Sequence, residues 1–449
     1  MDAPIYDFVQ NYINSNASRF HMPGHKGSGK LGIEKLDITE IMGADELYYP
    51  RSIILQSENN AAKLFNTEHT FYSTEGSSQC IKAMLYIAMT NAKKTKKRPF
   101  VLAARNVHKA FIQAAALLDA DVEWLYPNIS GSICSSIILP NELNKKLSSF
   151  SEMPFAVYVT SPDYLGGVSD IKGLAKICSK YNVPLIVDNA HGAYLNFLEQ
   201  PLHPIFLGAA MCCDSAHKTL PVLTGGAYLH ISKNAPKSYI DCARNAMALF
   251  GSTSPSYLIL QSLDLCNKYI DNDYKVKLKN FINELNILKQ ELSKFGFFDK
   301  SNEPMKIVLN TQDKNITGFE LADFLRKNKI ECEFCDFNNV VLMFTIENSK
   351  KDIQRIISAI SALKYTKTNK IKLDFNFIKG VKAMSIREAV FSKHKTVDVK
   401  SAIGKICGSP IVSCPPAIPI CISGEIITNK TVNLFEFYNI DKIEIVDED

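Results

Sequence analysis

Four short polar stretches read as loops at strand ends, and each carries side chains suited to chemistry. TEGSSQ sets Gly76, Ser77 and Ser78 at the opening of a helical pattern. Backbone N–H groups and hydroxyls at a helix N-terminus make a seat for a phosphate, although a serine-rich helix cap would read the same way. RNVHKA sets His108 just past an apolar strand, where an imidazole can stack on a flat ring or simply begin a helix. VDNAHG puts Asp188 directly after the apolar PLIV. A carboxylate at the end of a buried strand is costly unless something positive meets it. A protonated ring nitrogen would serve, and so would a helix cap or a buried salt bridge. SAHKTL brings Ser215, His217 and Lys218, followed by LPVL, which reads as buried or half-buried. A lysine whose amine pKa is lowered there can form a Schiff base with an aldehyde; otherwise a lone lysine is a solvated surface group.

The order of the four stretches is what gives them meaning. A phosphate loop, a stacking histidine, a strand-end aspartate and a lysine describe a site for pyridoxal 5'-phosphate. The phosphate takes Ser77 and Ser78, with Ser215 and His217 as further contacts. The ring takes His108, its nitrogen N1 takes Asp188, and its aldehyde takes Lys218.

The elements that must hold these residues repeat one pattern. RPFVLAARNVHKAFIQAAALL (98–118), PFAVYVTSPDYLGGVSDIKGLAKICSKY (154–181) and VPLIVDNAHGAY (183–194) each run from apolar strand through a small-residue loop toward a helix. AAMCCDSAHK (209–218) is a further apolar approach to a polar loop. Such alternation predicts an α/β fold with a mainly parallel sheet covered on both faces. Ligands bind at the carboxyl ends of strands in such sheets, where the four polar stretches fall. Past about residue 270 a long charged amphipathic helix predicts the exit from this domain. Strands at 305–310, 329–336 and 340–346 with helices at 317–328 and 350–364 predict a smaller α+β domain. KYTKTNKIK (364–372) reads as a polar linker, and the remainder carries strands of its own and a helix near 397–407.

Composition narrows the class. With 449 residues, 46% hydrophobic and 22% charged, the chain reads as a soluble globular protein of two or three domains. A net charge of +5 gives no argument for nucleic acid, and the basic run NAKKTKKR (91–98) reads as a solvated helix end. Among twelve cysteines only Cys332 and Cys335 approach metal spacing, and no second pair completes a zinc set, so no metal is expected. Free thiols in a reducing cytoplasm are the expectation. The opening MDAPIYDFVQNYINSN lacks a signal-peptide pattern, and no apolar run suits a membrane span.

Eight stretches carry a family resemblance: FHMPGHKG (20–27), DITEIMGADELYYP (37–50), RNVHKA, TSPDYLGGVSDI (160–171), DNAHGAYLNF (188–197), SAHKTLPVLTGGAYLH (215–230), STSPSYLILQSLD (252–264) and AIGKICGSPIVSCPPAIPICISGE (402–425). With these the chain resembles the short form of the Orn/Lys/Arg decarboxylase family of fold-type I pyridoxal phosphate enzymes. The resemblance implies a seven-stranded-type large-domain sheet and a division into an N-terminal arm with the cofactor domain (1–280), a small α+β domain (281–368) and a C-terminal decarboxylase-type domain (369–449). It implies Lys218 as the Schiff-base lysine, Asp188 as the N1 partner, and His191 and Gly76 as parts of the cofactor site. Thr253 or Ser254 would reach the phosphate held by a neighbouring subunit, making the site a shared feature of a homodimer. Three positions depart from the family pattern. Asn189 stands where a glutamate is usual, Cys414-Pro415-Pro416-Ala417-Ile418-Pro419 replaces an aromatic-Pro-Pro-Gly-Ile-Pro stretch, and Ser423 replaces a proline.

The activity this implies is decarboxylation of arginine, lysine or ornithine, with Asp188 holding the ring protonated and His217 or Lys218 returning a proton to the α-carbon. Asp45, Glu46 and Glu425 could meet the substrate's distal cation. Arg387 lies at a family-like position and reads as a helix-face ion pair. An aminotransferase or lyase on the same fold, or a non-catalytic cofactor-binding relative, are the alternatives. An aminotransferase would want a carboxylate-clamping arginine, for which Arg326 is the obvious small-domain residue.

Overall fold

The structure is a computed structural model that describes residues 1–93, 98–127, 132–297, 301–367, 377–412 and 416–447. The basic run 91–98, the linker 364–372, the boundary at 368/369 and Cys414-Pro415 lie wholly or partly outside the described residues. The chain forms two compact units. The first takes Met1–Lys94, Phe155–Ser161 and Ile171–Leu278; the second takes Thr95–Pro154, Pro162–Asp170 and Lys279–Asp449.

Seven strands follow the alternating pattern: β1 (His69–Ser73), β2 (Phe100–Ala104), β3 (Asp121–Leu125), β4 (Val157–Thr160), β5 (Leu185–Asp188), β6 (Met211–Asp214) and β7 (Ala227–Ile231). In the first unit they run in the order β1-β7-β6-β5-β4. β4, β5 and β6 are parallel, while β7 is antiparallel to both β6 and β1. Every residue of β5 and β6 is buried, as apolar runs covered on both faces should be. Helix Ser77–Thr90 packs on β6 and β7 and against helix Lys237–Leu249. The long helix expected past 270 is broken at residues 272–273, giving Tyr257–Asp271 and Tyr274–Lys294.

The parallel strands stop where polar residues begin. At the end of β5 the carbonyl of Asp188 accepts the Ser161 N–H, and the Asn189 N–H turns to Cys213 O at 2.9 Å. At the end of β6 the chain folds straight into the short helix Ala216–Thr219. Asp188 and Lys218 are therefore carried on neighbouring crossings at the same end of the sheet.

The second unit holds the parallel pair β2 and β3. It also holds a three-stranded sheet in the order β8-β10-β9, from β8 (Lys306–Asn310), β9 (Phe334–Cys335) and β10 (Asn339–Met343). Helices Gly318–Lys327 and Lys350–Ala362 accompany it, as the α+β pattern predicts. Its core joins Phe334 and Val341 to Cys407, Ile427, Phe435 and Ile443. Two details differ from expectation. The strand read over 329–336 shrinks to Phe334–Cys335, because Lys329 takes a left-handed φ of 62° and Ile330 N–H still closes the preceding helix on Leu325 O. The helix read near 397–407 is instead strand His394–Asp398, paired antiparallel with Lys442–Val446, followed by the single 3-10 turn Val399–Ala402. The β-branched pair Thr396–Val397 suits a strand better than a helix.

Candidate active site

Asp188 is only 2% exposed. Tyr158, fully buried on β4, donates its hydroxyl to Asp188 Oδ2 at 3.2 Å; the Ala190 N–H and the Cys213 thiol donate to Oδ1 at 3.2 and 3.7 Å. Burial pushes the Asp188 carboxyl above its ordinary pKa, and Lys218 is the largest influence opposing that rise. Lys218 Nζ lies 3.0 Å from His191 Nε2. His217 Nδ1 is 2.9 Å from Gly226 O; since a carbonyl only accepts, that nitrogen carries hydrogen.

The serines gather at one helix start. Gly76 precedes helix Ser77–Thr90 with φ 70°, a conformation that favours glycine, and its N–H is fixed on Gly225 O at 2.8 Å. Ser215 Oγ donates to Ser77 Oγ at 2.9 Å, so the β6 crossing and the helix start share a pair of hydroxyls. Ser78 follows within the first turn.

The other expected residues have these surroundings. His108 belongs to the second unit, where it caps helix Lys109–Leu118 with Nδ1 accepting the Ala110 N–H at 3.1 Å. Thr253 and Ser254 are exposed on the turn before helix Tyr257–Asp271. LPVL is less buried than expected: Pro221 is exposed and Leu223 is 50% exposed. Asp45 uses its carboxylate on the N–H groups of Arg51, Ser52 and Ile54. Glu46 is exposed, and Glu425 Oε2 accepts the Ile422 N–H at 3.0 Å. Arg387 donates to the carbonyls of Ala116 and Leu117, closing the last turn of a helix, besides standing 4.0 Å from Asp119. Arg326 pairs with Asp323 at 2.6 Å and Glu331 at 3.2 Å.

Sequence reasoning missed Tyr158 and Asp214. A tyrosine inside an apolar strand reads as core. Asp214 gave the same signal as Asp188, an acid closing an apolar strand. It is fully buried and held by His203, His230 and Asn189.

The profile described as Orn/Lys/Arg decarboxylase, major domain, matches residues 3–305. The chain belongs to the Orn/Lys/Arg decarboxylase family. It is thus a decarboxylase enzyme whose cofactor is pyridoxal 5'-phosphate. It is 26% identical to an arginine decarboxylase of Bacillus subtilis, over 98% of this chain and 94% of that one. It is 27% identical to an arginine decarboxylase of Bacillus anthracis, over 96% of this chain and 92% of that one. The fold is shared with the constitutive lysine decarboxylase of E. coli at a TM-score of 0.80 and 15% identity, covering 99% of this chain and 82% of that one.

The residues present fit this cofactor. No side chain caps the start of helix Ser77–Thr90, and a Cβ on Gly76 would meet nothing within 4 Å, so the seat in front of the Ser77–Ser215 hydroxyls is open. The carboxylate of Asp188 is buried enough to want a cationic N–H. Among the described residues no helix is long and apolar enough to cross a membrane.

Proposed function

We propose that this decarboxylase acts on a basic amino acid, with arginine the leading substrate, then lysine and ornithine. The products would be agmatine, cadaverine or putrescine and carbon dioxide. The observation that carries the site assignment is the buried Asp188, with Lys218 on the neighbouring crossing, at the end of parallel strands beside an open phosphate seat. The near-full-length likeness to arginine decarboxylases supports arginine.

The bound cofactor supplies an electron sink for the pair left on the α-carbon when the carboxylate departs. Lys218 is the amine that would carry it, and His191 steadies that amine. Asp188 would keep a proton on the ring nitrogen, and His108 would lie along the ring. Ser77, Ser78, Ser215 and the first N–H groups of helix Ser77–Thr90 would take the phosphate. His217, its Nδ1 committed to Gly226 O, offers Nε2 for proton transfer; Lys218 is the other proton carrier. The backbone hydrogen bonds of Asp45 and Glu425 leave the exposed Glu46 as the better partner for the distal cation of the substrate. Arg326 is already held by two carboxylates, which favours decarboxylation over transamination.

The same reading includes the domain division 1–280, 281–368 and 369–449, and a homodimer in which Thr253 or Ser254 serves the partner's phosphate. Phe20, Leu31 and Met42 are 95%, 82% and 99% exposed, three apolar side chains that a second copy would cover. Decarboxylation takes up one proton per turnover, which suits polyamine synthesis or acid resistance in the cytoplasm. The eleven free cysteines among the described residues accord with a reducing compartment.

Incubating purified protein and cofactor with arginine, lysine and ornithine separately, and analysing amine, keto acid and carbon dioxide, tests the reading. Agmatine is the expected product, and no amine from any of the three would overturn it. Sedimentation at micromolar protein tests the dimer; a monomer there would remove the shared site.

A further inference from the structure

Asp214 ends β6 one residue before Ser215. Its Oδ2 accepts Nε2–H from His203 at 3.0 Å and from His230 at 3.1 Å, and its Oδ1 accepts the Asn189 amide at 2.6 Å. All four side chains are fully buried. His230 Nδ1 is fixed in turn by Thr70 Oγ1 at 2.9 Å. Burial alone would raise the Asp214 carboxyl, but the two imidazoles hold it below the usual carboxylate range. Asn189 is the residue after Asp188. Its N–H bonds Cys213 O, its carbonyl accepts the Gly192 N–H at 2.8 Å, and a Cβ on Gly192 would collide with its Oδ1. The side chain is thus pressed between the ends of two strands. The related pattern has glutamate at this position. A glutamate here would set a second carboxylate against Asp214 in a fully buried place, and ionising both of two such close carboxylates is costly.

We propose that Asn189 is a positioning residue for the cofactor site: its amide clamps the end of β5, which carries Asp188, to the end of β6, which leads into Ser215 and Lys218. Asparagine stands there because the neighbouring strand ends in Asp214. The two positions form one unit, an amide facing a carboxylate, and neither can be exchanged alone. This inference rests on reading Asp188 and Lys218 as the partners of the cofactor.

The test compares Asn189→Asp, Asp214→Asn and the double variant by equilibrium dialysis of the cofactor at pH 6 and pH 8, with thermal unfolding of the cofactor-free protein. Asn189→Asp should weaken cofactor binding about tenfold at pH 8 and less at pH 6, where one of the two carboxylates takes up a proton. Adding Asp214→Asn presents an oxygen to the two imidazoles and an amide to the new carboxylate, and should restore binding to within about threefold of wild type. Asn189→Ala removes the donor without adding charge, and should weaken binding severalfold at both pH values; it serves if Asn189→Asp does not fold. Wild-type affinity in Asn189→Asp and Asn189→Ala, or a double variant no better than Asn189→Asp, overturns the clamp. Failure of the underlying site reading shows differently: Lys218→Ala would keep the visible absorption band of the wild-type complex.

Discussion

Replacing Tyr158 with phenylalanine removes one oxygen from a fully buried strand residue and one donor from Asp188. The bond is 3.2 Å long. Strong charge-assisted O–H···O bonds run to about 2.5–2.7 Å. The lower end of the range for a bond to a charged group therefore applies, ~1.5 kcal/mol. Placed on a proton equilibrium, that energy is worth about one pH unit. The Tyr158 hydroxyl favours the ionised carboxylate and works against burial, which raises the pKa. Without it Asp188 keeps its proton to higher pH. In the proposed site the ionised form holds the ring nitrogen, so the acid limb of kcat/KM should move upward by up to about one unit, with the plateau falling less than about tenfold. Cofactor-free stability follows the same sign. A carboxyl with a raised folded pKa contributes stability at pH below its unfolded value, and loses it as pH rises through the folded value. Denaturant unfolding should therefore show little loss for Tyr158→Phe near pH 3–4 and the larger loss at pH 8. An acid limb that stays in place, in a protein where Asp188→Asn does lower turnover, would refute the idea that Tyr158 tunes Asp188.

Asp188→Asn should lower kcat on the order of 10²–10³-fold while leaving the fold intact by circular dichroism. Arg244→Ala strands the fully buried Glu58, which otherwise receives Arg244 at 2.6 Å and His69 at 3.1 Å; a loss of about 3–5 kcal/mol is expected in denaturant unfolding at pH 7. Burial alone would raise the Glu58 carboxyl, but Arg244 and His69 hold it below its ordinary value, so the loss should shrink as pH falls through the folded pKa. Ala417 occupies a left-handed φ of 57° where the related pattern has glycine. Ala417→Gly should therefore stabilise by about 0.5–1 kcal/mol, the relief of strain exceeding the entropy that glycine loses, as a thermal melt can show. The Cys332 thiol is brought down to about 7 by a hydrogen bond with Cys335, so it should alkylate first at pH 7 by mass spectrometry; Cys335→Ala should slow it on the order of tenfold.

The parts of the site that sit at strand ends were readable from the chain alone. PLIV followed by Asp188 and the small-residue approach to Ser77 follow from the rule that parallel strands deliver polar residues at their carboxyl ends. The family resemblance added the order of the remaining stretches. What stayed hidden depends on packing between segments distant in the chain. Tyr158 looks like core until β4 lies beside β5. His203, Asp214 and His230 meet only because β6 and β7 pair antiparallel and the 203 turn folds over them. LPVL misled because its apolar composition says nothing about the exposed turn it makes. The helix expected near 397–407 failed because the partner of strand His394–Asp398, Lys442–Val446, lies far along the chain.

The pairing of β1 with β7 has a consequence for how the protein is made. His69 finds Ile231, and Ser73 finds Ala227, only after about 160 further residues have been joined. At roughly 5–20 residues per second that wait is ~8–30 s on the ribosome. Through this interval a strand that the fold buries has no partner for its backbone N–H and carbonyl groups, which makes nascent chains halted before residue 227 the species that chaperones must shield.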